Sequence, residues 1–398
     1  MNNNPVYLNH LGLICALGSD HQTVSDKLFS GQTDNLLRTT EYSEQAVYVG
    51  KVSEPLPALS SFSPLERTRN NQLLKAAFNQ IEATLTIHYS HIPKKRIGIV
   101  IGTSTSGIAE GEKALAHQIK SGEFSECYDY SMQEMSAPSI ALANWVGSKG
   151  PCYVISTACS SSAKALASAR RLIRSGICDL VIAGGVDSLT SLTVNGFSAL
   201  DSVSKGICNP YSASRDGINI GEGAALFMVS NQSLPSSATN IALAGVGECS
   251  DAHHISAPEP DGKGAEQAMV LAMNNAGLSK DQIGYINMHG TATIQNDRME
   301  GRAIYRLFND GTPCSSTKGY SGHTLGAAGA IEAAFCWLLL ADENPHKMPI
   351  HLSDHTIDPE LDPILLVKNN SNDQPIQTAM SNSFAFGGNN ISLILERQ

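Results

Sequence analysis

CYVISTACSSSAKAL, residues 152 to 166, opens as a strand, narrows to small residues and continues as a helix, with Cys159 at the bend. The thiolate is the reactive form of cysteine, and a free thiol with a pKa of about 8.5 is only slightly ionised at neutral pH. A helix N-terminus offers unpaired N–H groups and partial positive charge, which favour the anion. Lowering the pKa by about 1.5 units takes roughly 2 kcal/mol, within reach of such a turn with a histidine nearby. Ala158, Ser160, Ser161 and Ser162 leave room for a carbonyl to approach the sulfur. A cysteine in a small-residue context is more often a buried filler, so this turn needs partners elsewhere in the chain.

The same grammar recurs outward from this turn. Strand-like runs stand at 96–104, 152–156, 179–186, 284–290 and 391–395, and helical patterns at 64–84, 132–146, 160–175, 264–276, 297–308 and 325–341. Such alternation predicts α/β layers around a parallel or mixed sheet. CYVISTACSSSAKALASA and PCSSTKGYSGHTLGAAGAIEAA share one order: strand, small-residue turn, helix rich in Ala and Gly. Two similar halves are therefore expected. The polar stretch NQSLPSSATN (231–240) places their boundary, giving units 1–235 and 236–398.

Composition narrows the function. With 27 basic against 37 acidic residues the net charge is −10, which argues against broad nucleic-acid or anionic-membrane binding. Nine cysteines without a CxxC pair suggest neither a disulfide framework nor a zinc ribbon. The start of the chain, MNNNPVYLNHLGLICALG, lacks the basic and long apolar regions of a secretory signal, so a cytoplasmic protein is expected. IEAAFCWLLLA (331–341) is too short to span a bilayer and contains Glu332, so it reads as a buried helix. GTSTSG (102–107) is not a dinucleotide fingerprint, and His253–His254 has no partners at metal spacing; no metal site is expected.

Two further turns supply partners for the thiol. MHGTATIQND (288–297) puts His289 at a strand end, and STKGYSGHTLGAAGA (316–330) puts Lys318 and His323 ahead of a Gly/Ala helix. A single histidine there would be unremarkable core or surface; two at equivalent junctions suit a catalytic cleft.

At this point the chain resembles a family, the elongating β-ketoacyl carrier-protein synthases of the thiolase superfamily. The matching pieces are TACSSSA, NPYSASRDGINIGEGAA (209–225), SDAHHISAPEPDG (250–262), HGTATIQND, STKGYSGHTLGAAGAIEA and NSFAFGGNN (382–390), in the family's order and over almost the whole chain. Within the family it is most similar to ketosynthases of aryl polyene-type, type II polyketide and fatty-acid pathways. The resemblance implies a thiolase-like fold layered αβαβα and decarboxylative Claisen condensation, with Cys159 holding the acyl chain. It implies that His289 and His323 donate hydrogen bonds to the enolate, that Lys318 tunes their field and that Glu332 orients partners. Backbone N–H groups of Cys159 and Phe386 would form the oxyanion hole. Phe386 would gate the pocket, with Phe384, Phe197, Ile108 and Ser256 along its wall, while His254 would hold a loop.

The resemblance further implies no free cofactor, since the substrates ride on carrier-protein phosphopantetheine. The expected partners are acyl carrier protein and malonyl-carrier protein. A dimer is implied, either of identical chains or with a chain-length-factor-like subunit, with the strand near DLVIAGGV (179–186) crossing the interface. An acidic carrier needs local cations, and Arg67, Arg69, Arg170, Arg171 and Arg174 are the candidates. The chain departs from the family where Tyr211–Ser212 stands for Phe-Asp and Asn296 for Gly. Two rivals remain: a degradative thiolase, which needs a second cysteine in the C-terminal glycine loop, and a cysteine hydrolase.

Overall fold

The computed structural model describes residues 4–32, 34–234, 240–341, 347–354, 356, 358–370 and 375–398. Its main sheet takes five strands from each part of the chain. The first five are β1 (Tyr7–Cys15), β2 (Ile97–Gly102), β3 (Cys152–Ile155), β4 (Leu180–Asp187) and β5 (Gly223–Ser230). The second five are β6 (Ile241–Ser250), β7 (Tyr285–Met288), β8 (Cys314–Ser316), β9 (Thr378–Ala385) and β10 (Asn389–Arg397). The order across the sheet is β8-β7-β9-β10-β6-β1-β5-β4-β2-β3. Read inward from each edge, β3-β2-β4-β5-β1 and β8-β7-β9-β10-β6 are the same sequence of strands offset by five.

The pairing senses repeat as well. β2 is parallel to β3 and β4, and β5 is antiparallel to β4 and β1. Likewise β7 is parallel to β8 and β9, and β10 is antiparallel to β9 and β6. Among the described residues the two sets meet at one ladder pair, Tyr7 with Ala242. The expected boundary at 235/236 lies outside the described residues.

The helices that frame the site are α1 (Arg69–Tyr89), α2 (Ala137–Val146), α3 (Ser161–Arg174), α4 (Lys263–Ala276), α5 (Ile294–Phe308) and α6 (Ala328–Leu340). α1 and α2 cover the outer face of the first strand set, and α4, backed by α5, that of the second. α3 and α6 touch each other and both strand sets, forming the middle layer. That position explains their composition: Ala163, Ala165, Ala167 and Ala169 on α3, and every residue of α6 except Trp337, are buried. A Cβ on Gly329 would stand 2.7 Å from the Ala163 Cβ, so the crossing of α6 over α3 needs glycine there. Strands with helices on both faces read as unbroken apolar runs rather than alternating ones, and all of IGIVIG in β2 is buried.

Three expectations shift. Pro64 opens only a 3₁₀ turn, Pro64–Glu66; Thr68 is extended and accepts the Asn71 N–H, so α1 starts at Arg69. Helices α2 and α6 are likewise preceded by separate 3₁₀ turns, Tyr130–Gln133 and Leu325–Ala327. The strand in DLVIAGGV, β4, is hydrogen-bonded on both sides and has no edge to offer a partner. The bare edge of the first set is β3, whereas β8 is capped by a bridge from Cys314 to Leu366.

Candidate active site

Cys159 lies between β3 and α3, after Ala158 at φ 52°. A left-handed residue other than glycine costs of order 1–2 kcal/mol and turns the chain sharply, which swings the sulfur off the strand axis. His289 follows β7 directly, and its backbone N–H and that of Gly290 donate to the Glu300 carboxylate on α5 at 2.8 and 2.7 Å. His323 is held by the segment just ahead of β5: its N–H donates to Asn219 O at 2.6 Å, and Gly221 N–H donates to His323 O at 2.9 Å. Asp187, at the end of β4, ties the two sets together. It accepts from Thr103, Ser104 and Thr105 after β2 and from Ala327 N–H at 3.0 Å.

These turns converge. His323 Nε2 stands 3.1 Å from Cys159 Sγ, and the two imidazole rings meet edge to face with centroids 5.4 Å apart. Behind them the Lys318 ammonium lies 2.5 Å from Glu332 Oε1 and 3.4 Å from His289 Nδ1. Cys159, His289, His323, Lys318 and Glu332 are all buried. Burial and the Lys318 charge hold both histidines well below the usual imidazole range, so both rings are neutral.

Each tautomer follows from the partners. Leu325 N–H donates to His323 Nδ1 at 3.1 Å, and Lys318, which only donates, faces His289 Nδ1. Both rings therefore carry their proton on Nε2 and present donors. The Cys159, His289 and His323 ligand atoms also lie within 4.8 Å of one another, a spacing a soft metal ion could use. Metal-bound histidines, however, donate their second N–H to an acceptor, whereas here both Nδ1 atoms already accept, so the set does not fit a metal.

The sulfur departs from expectation. Burial pushes the Cys159 thiol up to about 11, against the lowering by Lys318 and by the N–H groups of Phe386 and Cys159 that face it. The helix terminus does not offset the loss of water, and the resting residue is a thiol. Burial also raises the Glu332 carboxyl, against the lowering by Lys318.

The sulfur and both rings open into a cleft of about 420 Å³, whose wall includes Phe197, Ser256, Phe384 and Phe386. The Phe197 and Phe386 rings pack 5.6 Å apart, and Phe384 packs 6.3 Å from His289. His254 lines the mouth and accepts the N–H groups of Ser256 and Ala257 on Nδ1, which fixes that loop. Ile108 begins the helix Ile108–Ser121 and is not among the lining residues.

The arginines behave differently from a docking patch. Arg69 is ion-paired with buried Glu222, and Arg67 donates to the carbonyls of Ser60 and Phe62. Arg170 is buried, donating to Asn275 Oδ1 and Ala244 O at 2.6 Å each. Arg171 pairs with Glu248, and Arg174 is half-buried. Lys205, three residues beyond the lining residue Ser202, is exposed, and its backbone N–H donates to Asp216, another lining residue, at 3.1 Å. Asn219, Glu300 and Asp187 were not singled out in the sequence, where nothing local sets them apart from ordinary polar residues.

Comparison with known proteins agrees with this geometry. Residues 20–234 match the model of the β-ketoacyl synthase N-terminal domain, and residues 241–349 that of the β-ketoacyl synthase C-terminal domain. The chain is 34% identical over 317 residues to 3-oxoacyl-[acyl-carrier-protein] synthase 2 of Staphylococcus aureus, covering 76% of this chain and 75% of that one. Among solved structures, the ketosynthase ApeO of Xenorhabdus doucetiae, in complex with its chain length factor ApeC, superposes with a TM-score of 0.91 at 40% identity, covering 99% and 98% of the two chains. The ishigamide ketosynthase/chain length factor shares the fold, with a TM-score of 0.87 at 24% identity and coverage of 99% of each chain. A buried thiol facing two donor imidazoles, on a doubled five-strand sheet matched by both domain models, places this chain in the β-ketoacyl synthase family.

Proposed function

We propose that the chain condenses malonyl-carrier protein with an acyl group held on Cys159, as a 3-oxoacyl-carrier-protein synthase of fatty-acid or polyene/polyketide-type elongation. The observation that carries this reading is the pair of Nε2–H donors converging on the cleft beside Cys159. In the first half-reaction the sulfur attacks the acyl thioester and the carrier thiol leaves with the proton that Cys159 gives up. The developing oxyanion is received by the N–H groups of Cys159 and Phe386. In the second, the malonyl C–C bond breaks and carbon dioxide departs. The electron pair moves onto the thioester oxygen, where the His289 and His323 donors stabilise it. The enolate carbon then attacks the acyl carbon, the C–S bond to Cys159 breaks, and the sulfur regains a proton from solvent.

Two features disfavour the rivals. Among the described residues no cysteine besides Cys159 lines the cleft, whereas a degradative thiolase needs a second one. His323 presents a donor to the sulfur, whereas a cysteine hydrolase needs a base there. The 40% identity to a ketosynthase solved with its chain length factor supports a heterodimer of that type, for which the bare edge of β3 is the natural seam. Among the described residues no helix is long and apolar enough to cross a membrane. The test is incubation with acyl- and malonyl-carrier protein, followed by mass. An acyl adduct on Cys159 and a product two carbons longer are expected; a protein that never becomes acylated at Cys159 refutes the reading.

A further inference from the structure

The two backbone donors that face the sulfur come from opposite parts of the chain. The Cys159 N–H belongs to the turn into α3, and the Phe386 N–H to the turn between β9 and β10. Their separation depends on what fastens α3 to that second turn. Gly387 and Gly388 both lie in the left-handed region, at φ 80° and 71°, so the turn has no side chains of its own beyond Phe386 to brace it. On its outer side it is tied by backbone bonds, Gly387 N–H to Ile255 O and Asp251 N–H to Gly388 O, each 2.9 Å.

On the side of the nucleophile the tie is a side chain. Lys164 Nζ donates to Asn389 Oδ1 at 2.9 Å, in a partly buried setting. Asn389 pairs with Ala385 across the turn and with Ser250 of β6, so it moves with the Phe386 backbone. Lys164 is the fourth residue of α3, where a cation opposes the helix dipole, so helix stability does not account for its placement. It stands five residues after Cys159 and reaches across to the other half of the oxyanion site.

We propose that Lys164 is a positioning residue for acyl transfer: its bond to Asn389 fixes the Phe386 turn against the nucleophile turn and sets the span between the two oxyanion donors. This rests on the condensing reading above. A misplacement of about 1 Å in such a site costs up to about a hundredfold in rate, and a turn still tied on its outer side would move less.

The test is single-turnover loading of Cys159 from acyl-carrier protein, followed by intact mass. In Lys164→Met the saturating transfer rate should fall about tenfold, with the half-saturating carrier concentration unchanged within about twofold. Lys164→Arg should restore most of the rate, Asn389→Ala should reproduce the loss, and the double variant should be no slower than either single one. Asn389→Asp keeps the acceptor oxygen and should retain the wild-type rate, which keeps the test decisive if Lys164→Met fails to fold. A wild-type transfer rate in Lys164→Met, losses that multiply in the double variant, or a loss confined to carrier affinity would overturn the proposal. If the wild-type protein itself is not acylated, the condensing reading fails instead.

Discussion

His323 points Nε2 at the Cys159 sulfur from 3.1 Å while its Nδ1 accepts the Leu325 N–H, so the nearest imidazole gives the thiol a donor and not a base. With burial pushing the thiol up to about 11, alkylation of the free enzyme by iodoacetamide should accelerate with pH throughout the range 7 to 10. The thiolate fraction rises about tenfold per pH unit below the pKa. Lys318→Met removes the largest influence that lowers the pKa and should slow the reaction further at each pH. A rate already flat below pH 8 would mean that the resting sulfur is ionised.

The tautomers divide the two half-reactions. His289→Ala removes a donor that faces the cleft but does not contact the sulfur, so Cys159 should still load while decarboxylation falls about a hundredfold or more, the usual cost of one such donor. His323→Ala should impair both steps, since the same Nε2–H faces the sulfur. Separate measurement of acyl loading by mass and of carbon dioxide release from malonyl-carrier protein checks this. Decarboxylation at the wild-type rate in either variant refutes the roles.

Much of this site was legible because each reactive residue sits on a turn whose small neighbours announce it: Ala158 and Ser160 around Cys159, Gly290 after His289, Gly322 before His323. What supports them was not. Glu300 holds the His289 turn from eleven residues on, and Asn219, in the segment ahead of β5, holds His323 from more than a hundred residues away, contacts that exist only after the chain closes. Arg170 illustrates a signal misread. It lies four residues after Leu166 and seven after Ala163, on the buried stripe of α3, so its helical position already argued against a docking surface. The edge position of β3 was hidden for a different reason: apolar runs such as those of β2 and β4 report cover on both faces, not hydrogen-bond neighbours.

Lys318 and Glu332 form a buried ion pair, and removal of one partner strands the other charge. Glu332→Leu or Lys318→Met alone should destabilise the fold by about 3–5 kcal/mol, and the double replacement by less than the sum of the two. Urea unfolding of the three variants measures this. Single losses below about 1 kcal/mol would mean that water reaches the pair.

Glu300 gives the fold a pH dependence of definite sign. Burial raises its carboxyl from 4.5 to about 7, against the lowering by the Gly290 and His289 N–H groups. The folded chain therefore holds a proton that the unfolded chain releases between those values. Its contribution to stability is fully present below pH 4.5 and is lost as the pH rises through about 7. In Glu300→Gln that titration is absent, so the stability of wild type minus variant should fall with rising pH in this window, by at most about 1.4 kcal/mol per unit. Denaturant unfolding at half-unit pH intervals reads the difference directly. A difference that grows with pH would mean that the N–H groups of the His289 turn outweigh burial and that Glu300 is ionised throughout.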